Sequence, residues 1–190
     1  MRAIIAASAL LACAGAACAQ TPGSSATSPA APSPVVATAE LKTASGASAG
    51  VVRMQRGPLG LLLTVEGQGW PEGWHGVHLH AVGTCEGPGF TSAGAHVNHA
   101  ENKRPHGLLN ADGGPDLGDL QNVWAHADGT ARAEVYLSGA GLVDGPGHDL
   151  LDEDGLSFLV HTNRDDHVSQ PIGGAGDRIA CGVFRATGAD

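Results

Sequence analysis

The stretch Gly76-Val77-His78-Leu79-His80 sets the terms on which the rest of the chain is read. A period of two sends Val77 and Leu79 to one face of a strand and His78 and His80 to the other, so one short strand carries an apolar face and two imidazoles side by side. Working outward, short apolar or alternating runs recur at 35–41, 50–55, 59–65, 122–126, 131–137, 157–161 and 179–184, broken by Gly and Asp. With 76–82 they predict about eight strands. Asp128-Gly129 marks a tight hairpin between two of them. The 29 Gly and 11 Pro, against 4% aromatic residues, call for many turns between short elements, and the expected class is all-β. Between Ala81 and Leu120 lie about forty residues with neither period, rich in Gly, His, Asn and Pro. A loop of that length in a compact domain calls for a functional reason, and its histidines supply one.

The 190 residues allow one ordinary domain and a short extension. Residues 1–19 read as a secretory signal: Arg2 gives the charge, the run from Ala3 to Ala12 is apolar, and Ala17-Cys18-Ala19 offers a cleavage site. The run is too short to span a membrane. Leu10-Leu11-Ala12-Cys13 also resembles a lipobox, so a lipid anchor on Cys13 or Cys18 stays open beside simple cleavage. Residues 20–34, almost entirely Ser, Thr, Ala, Pro and Gly, read as a flexible tether, and 35–190 as the domain. Export, with the periplasm as destination, leaves Cys85 and Cys181 as a pair in an oxidising compartment, either a disulfide or two separate thiols. The net charge of −9 and the lack of a basic cluster exclude a nucleic-acid surface.

Ten histidines are as many as all Lys and Arg together. Beyond His78 and His80, His96 lies in Ser92-Ala93-Gly94-Ala95-His96-Val97-Asn98, His106 precedes Gly107, and Asp119 sits in Gly118-Asp119-Leu120. His161 ends the run Ser157-Phe158-Leu159-Val160 and is followed by Asp165 and Asp166. A lone H-x-H is weak evidence, but this His and Asp set suits Zn²⁺ or Cu²⁺, which both accept imidazole. His126, His148 and His167 lack partner spacing and read as surface groups, and Trp70, Trp74 and Trp124 as core or an association patch.

The ordered series G-x-H-x-H, S-A-G-x-H-x-N, H-G, G-D-L, a strand-end His before Asp-Asp, and G-x-G-D-R-x-A-C-G-V resembles the copper/zinc superoxide dismutase family of exported bacterial type, over nearly all of the domain. The resemblance implies an immunoglobulin-like, eight-stranded Greek-key β-barrel or sandwich with long metal-binding and electrostatic loops. It implies copper on His78, His80, His96 and His161, with His96 bridging to zinc, and His106 and Asp119 as zinc ligands. Arg178 matches the active-site arginine, Cys85 and Cys181 the family disulfide, and Asp165 a carboxylate joining a copper histidine to a zinc histidine. His75 matches a structural position. The substrate implied is superoxide, disproportionated by one-electron cycling of copper with Arg178 and His96 as catalytic residues. A monomer and a homodimer are both compatible.

One position departs from the pattern: the family's third zinc histidine stands three residues before the zinc aspartate, and here that residue is Asp116. Zinc could take His96, His106, Asp116 and Asp119, since carboxylate oxygen is an acceptable donor. It could instead recruit His99, or the zinc site could be weak with copper kept. An acidic chain also needs a local positive funnel to draw in an anion, for which Arg178, Lys103, Arg104 and Arg164 are candidates, the last three also reading as an ordinary solvated face. A copper-binding or copper-delivering module on the same fold is the competing function.

Overall fold

The computed structural model describes residues 34–98, 103–141 and 148–188. The signal segment 1–19 with Cys13 and Cys18, the tether up to residue 33, and His99 lie outside the described residues. The strands are β1 (Val35–Thr43), β2 (Ser48–Arg56), β3 (Gly60–Gly67), β4 (Gly73–His75), β5 (Val77–His80), β6 (Val123–Ala125), β7 (Ala131–Ser138), β8 (Ala140–Gly141), β9 (His148–Asp149), β10 (Ser157–His161) and β11 (Arg178–Ala186). Nine of them form one sheet in the order β4-β6-β7-β3-β2-β1-β11-β10-β5, and β8 pairs with β9 apart from it. Every pairing within the large sheet is antiparallel.

Period two decides which side faces in. On β3, Leu61, Leu63 and Val65 are fully buried while Leu62, Thr64 and Glu66 are half-buried. Ala37, Ala39 and Leu41 do the same on β1, and Val77 and Leu79 on β5. Each fully buried Leu, Val or Phe of this core is worth about 1.5–3 kcal/mol. Trp70 belongs to the core and donates its indole N–H to Ala49 O at 2.9 Å, whereas Trp74 and Trp124 pair edge to face on the exposed side of β4 and β6.

The eight expected strands all appear in the large sheet, and a ninth, β4, which the sequence pattern does not predict, precedes the one expected at 76–82. β4 and β5 are the two ends of the sheet and are separated by Gly76 alone, so the sheet curls back on itself into a nearly closed barrel. At the break Gly76 N–H donates to Asn163 O and Gly76 O accepts from His161 N–H, both at 2.8 Å. The Asp128-Gly129 turn joins β6 to β7, with Gly129 at φ 80° and Asp128 Oδ1 accepting from Thr130 N–H.

The outward side of β5 is buried as well. The long loop lies along it: Leu79 N–H donates to Gly118 O, Val97 N–H to Leu79 O, and Gly118 N–H to Val97 O. His78 and His80 are therefore 0% and 1% exposed on a face that a bare strand would leave in water. The Cys85–Cys181 disulfide, with Cα atoms 5.7 Å apart, ties that loop to β11. Phe90, Ala93 and Leu159 pack around it as a second small apolar cluster.

Candidate metal centre

Strand geometry delivers three of the rings. His78 and His80 come from the outward face of β5, and His161 ends β10, the neighbour that pairs with β5. The loop delivers the fourth, since His96 makes a bridge opposite His80 and Asp119 one opposite His78. In each ring one nitrogen is occupied by an acceptor. His78 Nε2 meets Asp165 Oδ2 at 2.7 Å, His80 Nδ1 meets Gly94 O at 2.9 Å, His161 Nδ1 meets Gly176 O at 2.9 Å, and His96 Nδ1 meets Asp116 Oδ2 at 3.1 Å. The other nitrogen of each, Nδ1 of His78 and Nε2 of His80, His96 and His161, is buried with no hydrogen-bond partner. An unpaired buried polar atom is costly, and four of them within 4.8 Å of one another are the donor set of a cation site. Acceptors on the far nitrogens fix the tautomers that leave these lone pairs free.

A second set adjoins the first: His78, His96, His106 and Asp119 also offer donor atoms within 4.8 Å of one another. His106 Nδ1 contacts Asp119 Oδ1, and His96 Nδ1 lies 3.4 Å from the same oxygen. Asp119 Oδ2 is committed elsewhere, accepting from Gly107 N–H at 2.7 Å and Asp116 N–H at 3.0 Å. Asp116 is not in this set, although its Oδ2 faces His96 Nδ1; its Oδ1 accepts from Gly118 N–H at 2.9 Å. Asp165 stands between the two sets, with Oδ2 on His78 and Oδ1 3.1 Å from His106 Nε2. Gly173, at φ 59°, is where the loop passes that carboxylate, and a Cβ there would run into Asp165 and the His106 ring.

The electrostatics of the rings divide in two. Burial drives His78, His80 and His161 down to about 3, 2 and 4, which leaves them neutral and ready to ligate at neutral pH. Burial alone would also lower His106 and His96, but the hydrogen bonds and charges of Asp119 and Asp165 push His106 up to about 10, and Asp116 and Asp119 raise His96. Burial pushes Asp116 up, while bonds from His106, His96 and Gly107 outweigh burial at Asp119 and hold it well below the usual carboxylate range. Asp165 is likewise held low by His106 and His78 against the effect of its burial. His78, His80 and His161 are thus neutral, His106 pairs positive with negative charge, and His96, raised by its carboxylates, stands between them.

Arg178 lies beside the neutral cluster. It donates to Phe90 O at 2.6 Å and to Gly94 O at 2.8 Å, so Gly94 O serves both the arginine and the His80 ring. With Pro88, Gly89, Thr91, Gly176 and Asp177 it lines a cleft of about 580 Å³. Lys103, Arg104 and Arg164 are all exposed. His75 has Nδ1 2.7 Å from His161 O and Nε2 2.8 Å from Pro71 O, bracing the strand end. His126 is exposed and the side chain of His148 is outside the described residues.

His167 departs from the surface reading. It is half-buried at φ 64°, its N–H donates to Asp165 Oδ1 at 2.6 Å, and its Nε2 accepts from Asn122 Nδ2 at 2.9 Å. Two supports gave no signal in the sequence. Asn122 brackets Asp165, donating to its carbonyl and accepting from its N–H, both at 2.8 Å. Gln170 brackets His106 in the same way, at 3.0 Å to its N–H and 2.8 Å to its carbonyl. Both act on backbone groups, which any residue type would present.

The fold and these two adjoining donor sets define an all-β metalloprotein with a bimetallic histidine and carboxylate centre. Residues 48–184 match the profile of copper/zinc superoxide dismutase (SODC). A Cu-Zn superoxide dismutase of Caulobacter vibrioides is 50% identical over 150 residues, which are 78% of this chain and 85% of that protein. Among solved structures, a SOD-like protein from Bacillus subtilis aligns at TM-score 0.71 and 30% identity, over 77% of this chain and 96% of that one. The Cu/Zn superoxide dismutase from Brucella abortus aligns at TM-score 0.59 and 29% identity, over 77% and 97%. The chain belongs to the copper/zinc superoxide dismutase family. It is an oxidoreductase of that type, with copper and zinc as its metals and superoxide as its substrate.

Proposed function

We propose that the chain disproportionates superoxide in the cell envelope, two anions and two protons giving dioxygen and hydrogen peroxide, with copper cycling by one electron. His78 Nδ1 and Nε2 of His80, His96 and His161 would hold copper, and His96, His106, Asp119 and Asp116 would hold zinc, one of each metal per chain. Copper supplies the one-electron chemistry, which zinc, having no redox states, cannot. Arg178 binds and orients the anion: two of its N–H groups are spent on Phe90 and Gly94, and the rest can make charge-assisted hydrogen bonds to superoxide in the cleft. His96 would pass a proton to the product oxygen, acting as a general acid whose ring is held from its Nδ1 side. Asp165 orients His78 and His106 together.

The observation that carries this reading is the convergence of four unpartnered ring nitrogens beside an arginine that shares a carbonyl with one of the rings. A disulfide suits export, with 1–19 removed as a signal and 20–34 as a tether, or with a lipid on Cys13 or Cys18. No helix among the described residues is long and apolar enough to cross a membrane. Metal analysis of the mature protein together with a superoxide-consumption assay tests the function. Copper bound in full without turnover would point to storage or delivery instead, and the mass of the mature N-terminus separates cleavage from lipidation.

A further inference from the structure

We infer that Asp116 is a positioning residue for the copper-facing ring of His96, and that it holds this ring in place when zinc is absent. This rests on the proposed assignment of His78, His80, His96 and His161 to copper. The argument is a comparison of four rings. Three of them owe their orientation to acceptors that are not metals: Asp165 Oδ2 for His78, Gly94 O for His80 and Gly176 O for His161. The fourth would need zinc on Nδ1 if the chain offered nothing else. Here it does offer something, because Asp116 Oδ2 accepts from His96 Nδ1 at 3.1 Å, with side chains only 7% and 5% exposed.

The carboxylate is itself fixed. Asp116 Oδ1 accepts from Gly118 N–H at 2.9 Å, and Asp116 N–H donates to Asp119 Oδ2 at 3.0 Å. Gly118 in turn accepts from Leu79 N–H on β5, between His78 and His80. Asp116 therefore stands on the same strand that carries two of the other rings, through one intervening residue. A proton on His96 Nδ1 shared with Asp116 leaves the lone pair on Nε2, the atom that is buried without a partner. A carboxylate behind a ligating imidazole fixes the ring and raises its basicity, and removing such a partner lowers metal affinity by about 10- to 100-fold. Asp119 Oδ1 is a poorer substitute at 3.4 Å, since it also contacts His106 Nδ1.

The test is copper(II) titration of zinc-free protein, wild type against Asp116→Ala and Asp116→Asn, with pulsed electron paramagnetic resonance counting the bound imidazoles. Zinc-free wild type should bind one copper through four imidazoles. Asp116→Ala should bind about 10- to 100-fold more weakly when zinc-free, with a changed spectrum, and zinc should restore much of the loss. Asp116→Asn, which keeps an oxygen acceptor, should stay near wild type. Three imidazoles in zinc-free wild type, or equal zinc-free affinity in Asp116→Ala, would overturn the role; the wild-type spectrum decides even if a variant fails to fold. The readout is copper binding and not turnover, so a failed superoxide assay overturns the proposed function separately.

Discussion

The two halves of the centre are built by different means. The half proposed for copper stands mainly on β5 and the end of β10, with the rings of His78, His80 and His161 neutral and propped mainly by backbone carbonyls. The half proposed for zinc stands on loops and is held by charge, with His106 and His96 facing Asp119, Asp116 and Asp165. Strands place a ring through a ladder of hydrogen bonds that the core already requires. Loops lack such a ladder, and here carboxylates and side-chain clamps take its place. The two halves should therefore respond differently to the same kind of perturbation.

The largest effect is expected from His80→Ala, which removes a ring fixed by both strand and carbonyl. Copper should be lost and turnover should fall to background, while zinc stays near full occupancy; parallel loss of both metals would break the distinction between halves. Asp165→Ala touches both, and affinity for each metal should drop about 10- to 100-fold in competition titrations. An effect confined to zinc would show that the strand alone orients His78. Arg178→Ala should leave both metals bound and lower kcat/KM about 10- to 150-fold, the equivalent of a charge-assisted hydrogen bond of about 1.5–3 kcal/mol. Unchanged kcat/KM would remove Arg178 from the substrate site.

The smallest effect is one of protons. With His106 pushed up to about 10, that ring is protonated in metal-free protein at neutral pH, so zinc must displace its proton and zinc affinity should rise with pH up to about 10. The three copper rings at about 3, 2 and 4 are already neutral above pH 5, so they should contribute no such dependence between pH 5 and 8. Calorimetry in buffers of different ionisation enthalpy measures the protons released per metal. Zinc binding at neutral pH without proton release would erase the electrostatic contrast.

Much of the copper half could be anticipated because its information is local. A period of two in 76–80 places His78 and His80 together on any strand, and the run ending at His161 reads as another strand. The short strand β4 and the break at Gly76 after it were not legible, because they depend on pairing with β6 and on bonds to Asn163 and His161 far along the chain. On the zinc side the resemblance put His106, Asp119 and Asp165 in one ordered series, but the His167, Asn122 and Gln170 supports carry no spacing signal. Asn122 and Gln170 bond to backbone 43 and 64 residues away, and His167 meets Asn122 across 45.

The sequence by itself determined the all-β class, the strand rows that build the core, and which side chains could offer nitrogen and oxygen to a metal. Only the tertiary structure decided which nitrogen of each ring is free and what stands behind it, and that Asp116 faces His96 from outside the donor set that includes Asp119. The reason is physical. Periodicity is a property of neighbours along the chain, whereas tautomer, burial and charge balance belong to groups that meet only when distant segments close around them.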